Sequence, residues 1–532
     1  MDSFDYIIVG GGTAGCILAN RLTASGRHRV LLLEAGGEPR SMWINIPAGF
    51  SKLLTNKDYN WRFQTEAEEN TNQRVISVPR GKGLGGSTLI NGMIYVRGQA
   101  GDYDAWRDGG ARAWGFKDVE PYFRKIEQYQ RGGPTRGHDG PMKLEQVRER
   151  FPLSDAFVKA AQEDGQPFNE DYNAERQDGV GYYQVTQSGG RRWSVYDGYL
   201  RPARQRKNLH VEIHAQVLRL ELRDKKCVGV TYRQHGQEVT VSANIEVILA
   251  AGAIQSPQVL ELSGIGRPSL LQSLGIPILH ELQGVGENYI DHFATRMNWR
   301  VKDTVTLNEM SRNWRLGLAV SEYFVRRTGI LTLGTGLVHA FVKTRPELPT
   351  PDAQYFFVHA SYANAAERIL DKAPGMTIGV TQLRPESIGS VHIKSRDPTV
   401  GPSIRPNFLA SAVDQACMIR GMRIARRMVG RPALRPYLVE EMSPGANVTS
   451  DADWLAFARA NGQTIYHPLG TCRMGEDDAA VVDLRLKVRG LDGLRVVDAS
   501  VMPKMVSGNI QAAVMMVAEK AADLILEDAS NR

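Results

Sequence analysis

The chain of 532 residues predicts a mixed α/β fold, in which a Rossmann-like dinucleotide-binding domain is interleaved with a second, α+β domain. Three observations lead there. The first thirty-four residues carry a strand, a glycine triplet, a helix and a second strand ending in an acid. A further strand, tight turn and helix unit recurs at residues 245–266. Between such units lie two stretches, 141–194 and 298–461, of different texture, richer in polar and aromatic residues and in irregular segments.

The amino-terminal unit comes first. Tyr6 to Val9 is a continuous apolar run, the pattern of a parallel strand buried on both faces. It ends at Gly10, and Gly10, Gly12 and Gly15 have GxGxxG spacing around Thr13 and Ala14. The first glycine permits a tight turn, the second admits a pyrophosphate to the backbone N–H groups, and the third lets the helix pack on the strand. Cys16, Ile17, Leu18, Ala19 and Leu22 continue with helical periodicity. Val30 to Leu33 forms a second buried strand that ends in Glu34, 19 residues after Gly15, followed by Ala35. A carboxylate there suits a ribose hydroxyl and repels a 2′-phosphate, so NAD or FAD is favoured over NADP.

Strand-rich segments follow near Leu209–Glu221, Val228–Tyr232 and Ile245–Leu249, the last turning at Gly252 into a helix beside the same nucleotide. An amphipathic helix begins near Asp451. LRVVDASVMP then reads as a strand ending at Asp498, and SGNIQAAVMMVAEKAADLI as an apolar-faced helix. At roughly 100–200 residues per domain the length suggests about three domains. The order of the units instead divides the chain into two. A nucleotide-binding domain is expected from residues 1–140, 195–297 and 462–532, and a substrate domain from 141–194 and 298–461.

Composition narrows the function classes. Lys plus Arg is 65 against 58 Asp plus Glu, a balance of +7, and the longest basic cluster, Arg201 to Lys207, has no interleaved aromatic residue. No nucleic-acid partner is expected. The four cysteines, Cys16, Cys227, Cys417 and Cys472, are far apart and show no CxxC or His/Cys grouping, so reduced structural thiols and no metal site are expected. The short acidic leader MDSFDY runs straight into a strand, and no window has the 18 uncharged apolar residues of a membrane span. A cytoplasmic protein without a transmembrane segment is the expectation; the oligomeric state stays open.

Further motifs complete the pattern: RGKGLGGSTLINGMIYVRG from Arg80 to Gly98, GAIQSPQVLELSGIG from Gly252 to Gly266, YHPLGTCRMG from Tyr466 to Gly475, and VVDASVMP with GNIQAA near the end. Taken alone, the GKGLGGSTLIN loop reads equally well as a cofactor cradle or a glycine-rich hairpin. With the amino-terminal fingerprint these segments resemble, in order, the glucose–methanol–choline flavoprotein oxidoreductases, especially their choline-dehydrogenase-like alcohol dehydrogenases. Residues 298–461 match only in outline, through GSVHIKSRDP and PNFL.

The resemblance implies FAD and a substrate domain built on an antiparallel sheet with helices. It implies cofactor contacts at Gly83, Gly86, Ser87, Asn91, Gly92, Met93 and Ile94, at Val217 beside the adenine, and at Asp498, Ala499 and Gln511 beside the flavin and its ribityl–phosphate chain. Some relatives attach FAD covalently through a histidine immediately before the Asn of this loop. Ile90 stands there, which implies noncovalent FAD.

Of the eleven histidines, His28, His138 and His235 lie in polar turns, His292 reads as structural or near the cofactor, and His339 and His359 are either packed or pocket-lining. His467 is singled out by the resemblance, and Pro468 after it keeps it out of helical conformation. An imidazole of ordinary pKa near 6.5 suits removal of an alcohol proton at neutral pH. Asn509 is implied as its partner, orienting the substrate oxygen, although an Asn in that place also reads as a helix cap. Met42, Trp43, Trp61, Tyr355 and Phe357 are candidate pocket walls or core. The reaction implied is oxidation of CH–OH to a carbonyl, with electrons passed to a quinone or other organic acceptor. Dioxygen as acceptor is the alternative, and a lyase on the same scaffold the more distant one.

Overall fold

The computed structural model describes residues 3–364 and 369–531, so Met1 and Asp2 of the acidic leader lie outside the described residues. Two seven-stranded sheets organise the chain, each with its own hydrophobic core. In the first, the order is Leu209–Ile213, Val30–Glu34, Ser3–Val9, Gln237–Leu249, Lys226–Gln234, Gln216–Arg223. The first four strands run parallel, and Leu494–Val496 joins the carboxy-terminal half of Gln237–Leu249, also in parallel. The apolar run Tyr6–Val9 is buried throughout, as a strand flanked by parallel neighbours requires.

Helices Thr13–Thr23 and Gln511–Ser530 pack on each other against this sheet. Ile17, Leu18 and Leu22 are fully buried, each contributing about 1.5–3 kcal/mol. The approach leaves no space at Gly15, where an added Cβ would stand 1.9 Å from the Gly10 carbonyl oxygen.

The second sheet is antiparallel, in the order Leu438–Ser443, Phe293–Val301, Gly375–Gln382, Ala353–Val358, Val338–Val342, Gly179–Tyr182, with Gln463–Thr464 pairing on Phe293–Ala294. Helices Pro152–Glu163 and Ala412–Val429 cover one of its faces. Strand Phe293–Val301 corrects the domain boundary expected between 297 and 298, which would cut it. The chain returns to the second sheet at Phe293, and buried and partly exposed residues alternate from Thr295 to Val301.

Candidate active site

One cavity lies where the carboxy-terminal edge of the parallel strands meets the open face of the antiparallel sheet. Its nucleotide end is lined by Gly10, Gly12, Thr13, Ala14, Glu34, Ala35 and Val217, and its middle by Gly86, Ser87, Ile90, Asn91, Gly92, Met93, Ile94, Asp498 and Ala499. His467, Asn509 and Gln511 line the far end. Gly15 and Gly83, expected at the cofactor, are outside the lining. Gly15 is a packing position, and the Gly83 N–H donates to Glu34 Oε1 at 3.0 Å.

Glu34 is a hub rather than only a ribose acceptor. Its carboxylate accepts from the Gly11 N–H at 2.8 Å, the Gly36 N–H at 2.7 Å and the Gly83 N–H. Oε2 takes one of these bonds and Oε1 two, so Oε2 retains a lone pair for a ribose hydroxyl. Asp498 is also turned inward. It accepts from the Gly252 N–H, the Ser256 hydroxyl, and the Ser500 N–H and hydroxyl, tying the start of helix Gly252–Leu262 to the last strand. Its side chain is therefore occupied, and what the position offers the cavity is backbone.

Three features fit FAD. Helix Thr13–Thr23 starts at the cavity with no side-chain cap and no acid in its first turn, leaving N–H groups and a positive dipole end for a diphosphate. Gly86, at φ +52°, brings its backbone so near Gly12 that a Cβ would lie 2.6 Å from the Gly12 Cα. Finally, buried Arg192 donates to Asn91 Oδ1 at 2.6 Å, which turns the Asn91 amide N–H toward Gln511 Oε1 at 2.5 Å. Gln511 Nε2 is left buried without a partner, a donor for a ring acceptor. Ile90 carries no nucleophile, in keeping with noncovalent attachment.

At the far end the hydrogen bonds determine a tautomer. His292 Nε2 faces the Leu383 carbonyl oxygen at 2.9 Å, which can only accept, so Nε2 carries the proton. His292 Nδ1 is then bare, and it lies 3.0 Å from His467 Nδ1, which must donate to it. His467 Nε2 is left with its lone pair beside Asn509 Nδ2, 3.3 Å away at the cavity wall. Burial pushes the His292 imidazole down to about 4. It holds His467 well below the ordinary 6.5, with His292 and Arg80 acting in the same direction. Both rings are therefore neutral at pH 7.

The backbone around His467 is held as firmly. Asp291 accepts from the His467 N–H at 2.8 Å, the Thr464 hydroxyl at 2.5 Å and the Tyr289 hydroxyl at 3.0 Å. Tyr466 sits at φ +74°, uncommon for a side-chain-bearing residue. Its carbonyl accepts from Arg80 Nη1 at 2.9 Å, and its N–H donates to Thr464 Oγ1 at 2.7 Å. These contacts aim the imidazole, since the strained turn puts the side chain of the next residue into the cavity. Asn509 does not cap the last helix, whose N-cap is Ile510 without a side-chain bond. Instead Asn509 Oδ1 accepts from Gln354 Nε2 at 3.5 Å, directing Nδ2 toward His467.

The open face of the antiparallel sheet forms the substrate end. Arg296, Gly379 and Phe356 are cross-strand neighbours, as are Thr377 and Val358 one rung on, and all line the cavity with Trp61 and Tyr362. Tyr355 and Phe357 point to the other face: the Tyr355 hydroxyl donates to the Gly421 carbonyl and Phe357 stacks on Phe157. Met42 and Trp43 are exposed, outside the cavity. His339, in strand Val338–Val342, and His359, just past strand Ala353–Val358, are buried away from the lining.

A family model described as GMC oxidoreductase matches this chain in two parts, an amino-terminal one over residues 4–294 and a carboxy-terminal one over residues 385–518. The chain belongs to the GMC oxidoreductase family. Similar proteins include an alcohol dehydrogenase (acceptor) of Pseudomonas putida, 40% identical over 531 residues, spanning 98% of this chain and 96% of that one. The mitochondrial choline dehydrogenase of Homo sapiens is 39% identical over 98% of this chain and 90% of its own length. Among solved structures, pyridoxine 4-oxidase from Mesorbium loti superposes with a TM-score of 0.90 at 30% identity, covering 98% and 99% of the two chains. A formate oxidase superposes with a TM-score of 0.93 at 28% identity, covering 100% and 99%.

As a GMC oxidoreductase the chain is an FAD-dependent enzyme acting on alcohols. No helix among the described residues is long and apolar enough to cross a membrane. Three residues of this GMC site, Arg192, Asp291 and Gln354, were not singled out in the sequence, and Arg80 entered only as the first residue of its glycine-rich motif. The reading of His292 as structural or near the cofactor was the one available hint for the second imidazole.

Proposed function

We propose that the enzyme oxidises an uncharged alcohol bearing an apolar or aromatic substituent to its aldehyde or ketone, with His467 as the base. The observation that carries this reading is the bare Nε2 of His467 at the cavity wall, set by His292 and paired with an amide donor. When bound, FAD supplies the hydride-accepting ring. The backbone of Gly10 to Ala14 would hold its diphosphate, Glu34 and Ala35 its ribose, and Val217 its adenine. Gly86, Ser87, Asn91, Gly92, Met93, Ile94 and Gln511 would meet the flavin, with the Asp498–Ala499 backbone beside the ribityl chain.

A substrate hydroxyl placed between His467 and Asn509 donates its proton to His467 Nε2 and accepts a hydrogen bond from Asn509 Nδ2. Loss of that proton removes the obstacle to hydride departure from carbon, since the product no longer carries a protonated carbonyl. His292 Nδ1, accepting from His467 Nδ1–H, keeps Nε2 available and supports the imidazolium that forms. The start of helix Gln511–Ser530, without cap or acid, favours negative charge developing beside it.

Three features support an uncharged substrate. Arg296, which donates to Gln463 Oε1 at 2.8 Å, stands in the cavity lining, and no carboxylate among the described residues lines the substrate end. The Trp61 ring already receives the Lys82 ammonium, 4.6 Å from its centroid, which occupies the aromatic face that a cation would use. We read the acceptor as a quinone or other organic molecule, with dioxygen the alternative; the name of the Pseudomonas putida relative specifies an acceptor without saying which. A cytoplasmic location belongs to the same reading; all four cysteines are free and buried.

Anaerobic mixing of the FAD-loaded enzyme with a panel of alcohols tests this. Aliphatic and aromatic primary alcohols should bleach the oxidised flavin spectrum, and choline should not. Product formation without bleaching would identify a lyase and overturn the proposal. Oxygen uptake faster than quinone-dye reduction would reassign the acceptor.

A further inference from the structure

Helix Asn313–Arg326 has an apolar surface that nothing among the described residues covers. Only Ala319 and Tyr323 are buried, although the helix has 14 residues. Trp314 is 70% exposed, Leu318 60% and Val325 78%, and their spacing of four and seven puts them on one stripe. Leu316, Val320 and Phe324, all exposed, form a second row at intervals of four, separated from the first by Gly317 and Ser321. The polar positions Arg315, Glu322 and Arg326 gather on the opposite flank.

The charge bordering this face is cationic. Arg312, Arg315, Arg326 and Arg327 stand against Glu309 and Glu322. The Tyr323 hydroxyl donates to the Asn45 carbonyl, which seats the helix beside the exposed Met42 and Trp43 and enlarges the apolar surface. On its inner side the helix packs on Ile330–Thr332, which leads to Thr335 in the cavity wall. A short segment thus joins the helix to the cavity wall, where Thr335 stands against Gly92.

We propose that this face seats the enzyme on a bilayer surface bearing anionic lipids. An exposed apolar arc with tryptophan and phenylalanine, flanked by arginines, is the pattern of a helix lying in the interface with its rings among the headgroups. At 1.5 Å per residue the helix is about 21 Å long, too short to span a hydrocarbon core of about 30 Å. Docking rests on this surface alone. Its use, delivering apolar alcohols and quinone-like acceptors dissolved in the bilayer, rests on the function proposed above.

Co-sedimentation of the FAD-loaded enzyme with vesicles tests the docking without turnover, so its failure is distinguishable from failure of the proposed reaction. The enzyme should sediment with vesicles of 30% phosphatidylglycerol in phosphatidylcholine, less with phosphatidylcholine alone, and less at high salt. A Trp314→Ser, Leu318→Ser, Val325→Ser variant should lose at least tenfold of this partitioning, while reduction of a soluble dye by a water-soluble alcohol is unchanged. Arg315→Glu with Arg326→Glu should weaken binding to the anionic vesicles and leave binding to the neutral ones unchanged. Absence of sedimentation, or equal sedimentation of the serine variant, would overturn the proposal. So would a dimer in solution that the serine variant disperses, which would assign the face to a second copy of the chain.

Discussion

The pairing of His292 with His467 makes a demand that a merely packed histidine would not. His292→Phe keeps an aromatic ring in the buried site but removes the acceptor that His467 Nδ1–H reaches at 3.0 Å. An N–H left buried without a partner costs about 1–3 kcal/mol. That cost falls on the tautomer with Nε2 bare, and the opposite tautomer, with Nε2 protonated, cannot act as base. At about 1.4 kcal/mol per factor of ten, flavin reduction by a saturating alcohol should slow about 5- to 140-fold. His292→Asn should restore much of the rate, because its Oδ1 lies close to where Nδ1 was and can accept the same proton. Anaerobic stopped-flow absorbance on FAD-loaded protein measures both. A His292→Phe variant that reduces flavin within twofold of the parent, or an Asn variant no faster than Phe, would refute the relay.

Acid should act on the same pair. Because burial holds His467 far below 6.5, the flavin-reduction rate should be flat from pH 7 upward, with its acid limb displaced below pH 6.5. Between pH 6.5 and 4 the folded His292, at about 4, binds fewer protons than the unfolded one, so its contribution to stability is lost as pH falls through that window. Asp291, raised by burial to about 6, contributes in the opposite sense but equally in a His292→Asn variant. Chemical denaturation should therefore show that variant gaining about 3 kcal/mol relative to the parent between pH 7 and 4. Gly86→Ala places a Cβ against the Gly12 backbone at a positive φ, and should raise the dissociation constant for FAD at least tenfold in a flavin-fluorescence titration. Gly379→Leu extends a side chain beside Phe356 into the substrate end, and should depress kcat/KM for aromatic alcohols more than for ethanol.

What was legible in the sequence was local. The Gly10 to Gly15 turn, the buried strands on either side and Glu34 are neighbours in the chain, and turn chemistry and periodicity specify them without reference to the rest. The same holds for the helix expected near Asp451, found at Asp451–Asn461. The substrate end was not legible, for a reason of parity. In the strand Ala353–Val358 both faces are buried, so its Tyr-Phe-Phe-Val run has no polar alternation to say which residues face the cavity. Tyr355 and Phe357, candidates for the wall, belong to the opposite face from Phe356 and Val358. Met42 and Trp43 were misleading for the converse reason: large apolar residues imply burial, and these two are exposed.

The second imidazole and the arginines were hidden by distance along the chain. His292 meets His467 across 175 residues, and Arg192 reaches Asn91 across 101, separations that no local pattern encodes. Glu34 was placed at the nucleotide, but one of its three backbone donors, the Gly83 N–H, comes from a glycine loop 49 residues away. Gly83 accordingly supports the site from behind.

The account depends most on one proton. In the FAD-loaded enzyme, His467→Ala should leave the cofactor bound and slow anaerobic flavin reduction by about 10²- to 10⁴-fold, the range for a positioned general base. Asn509→Ala, which removes a hydrogen-bond donor and no base, should slow it less. Flavin reduction in His467→Ala at the parent rate, with FAD bound, would contradict the assignment of His467 as the group that takes the alcohol proton.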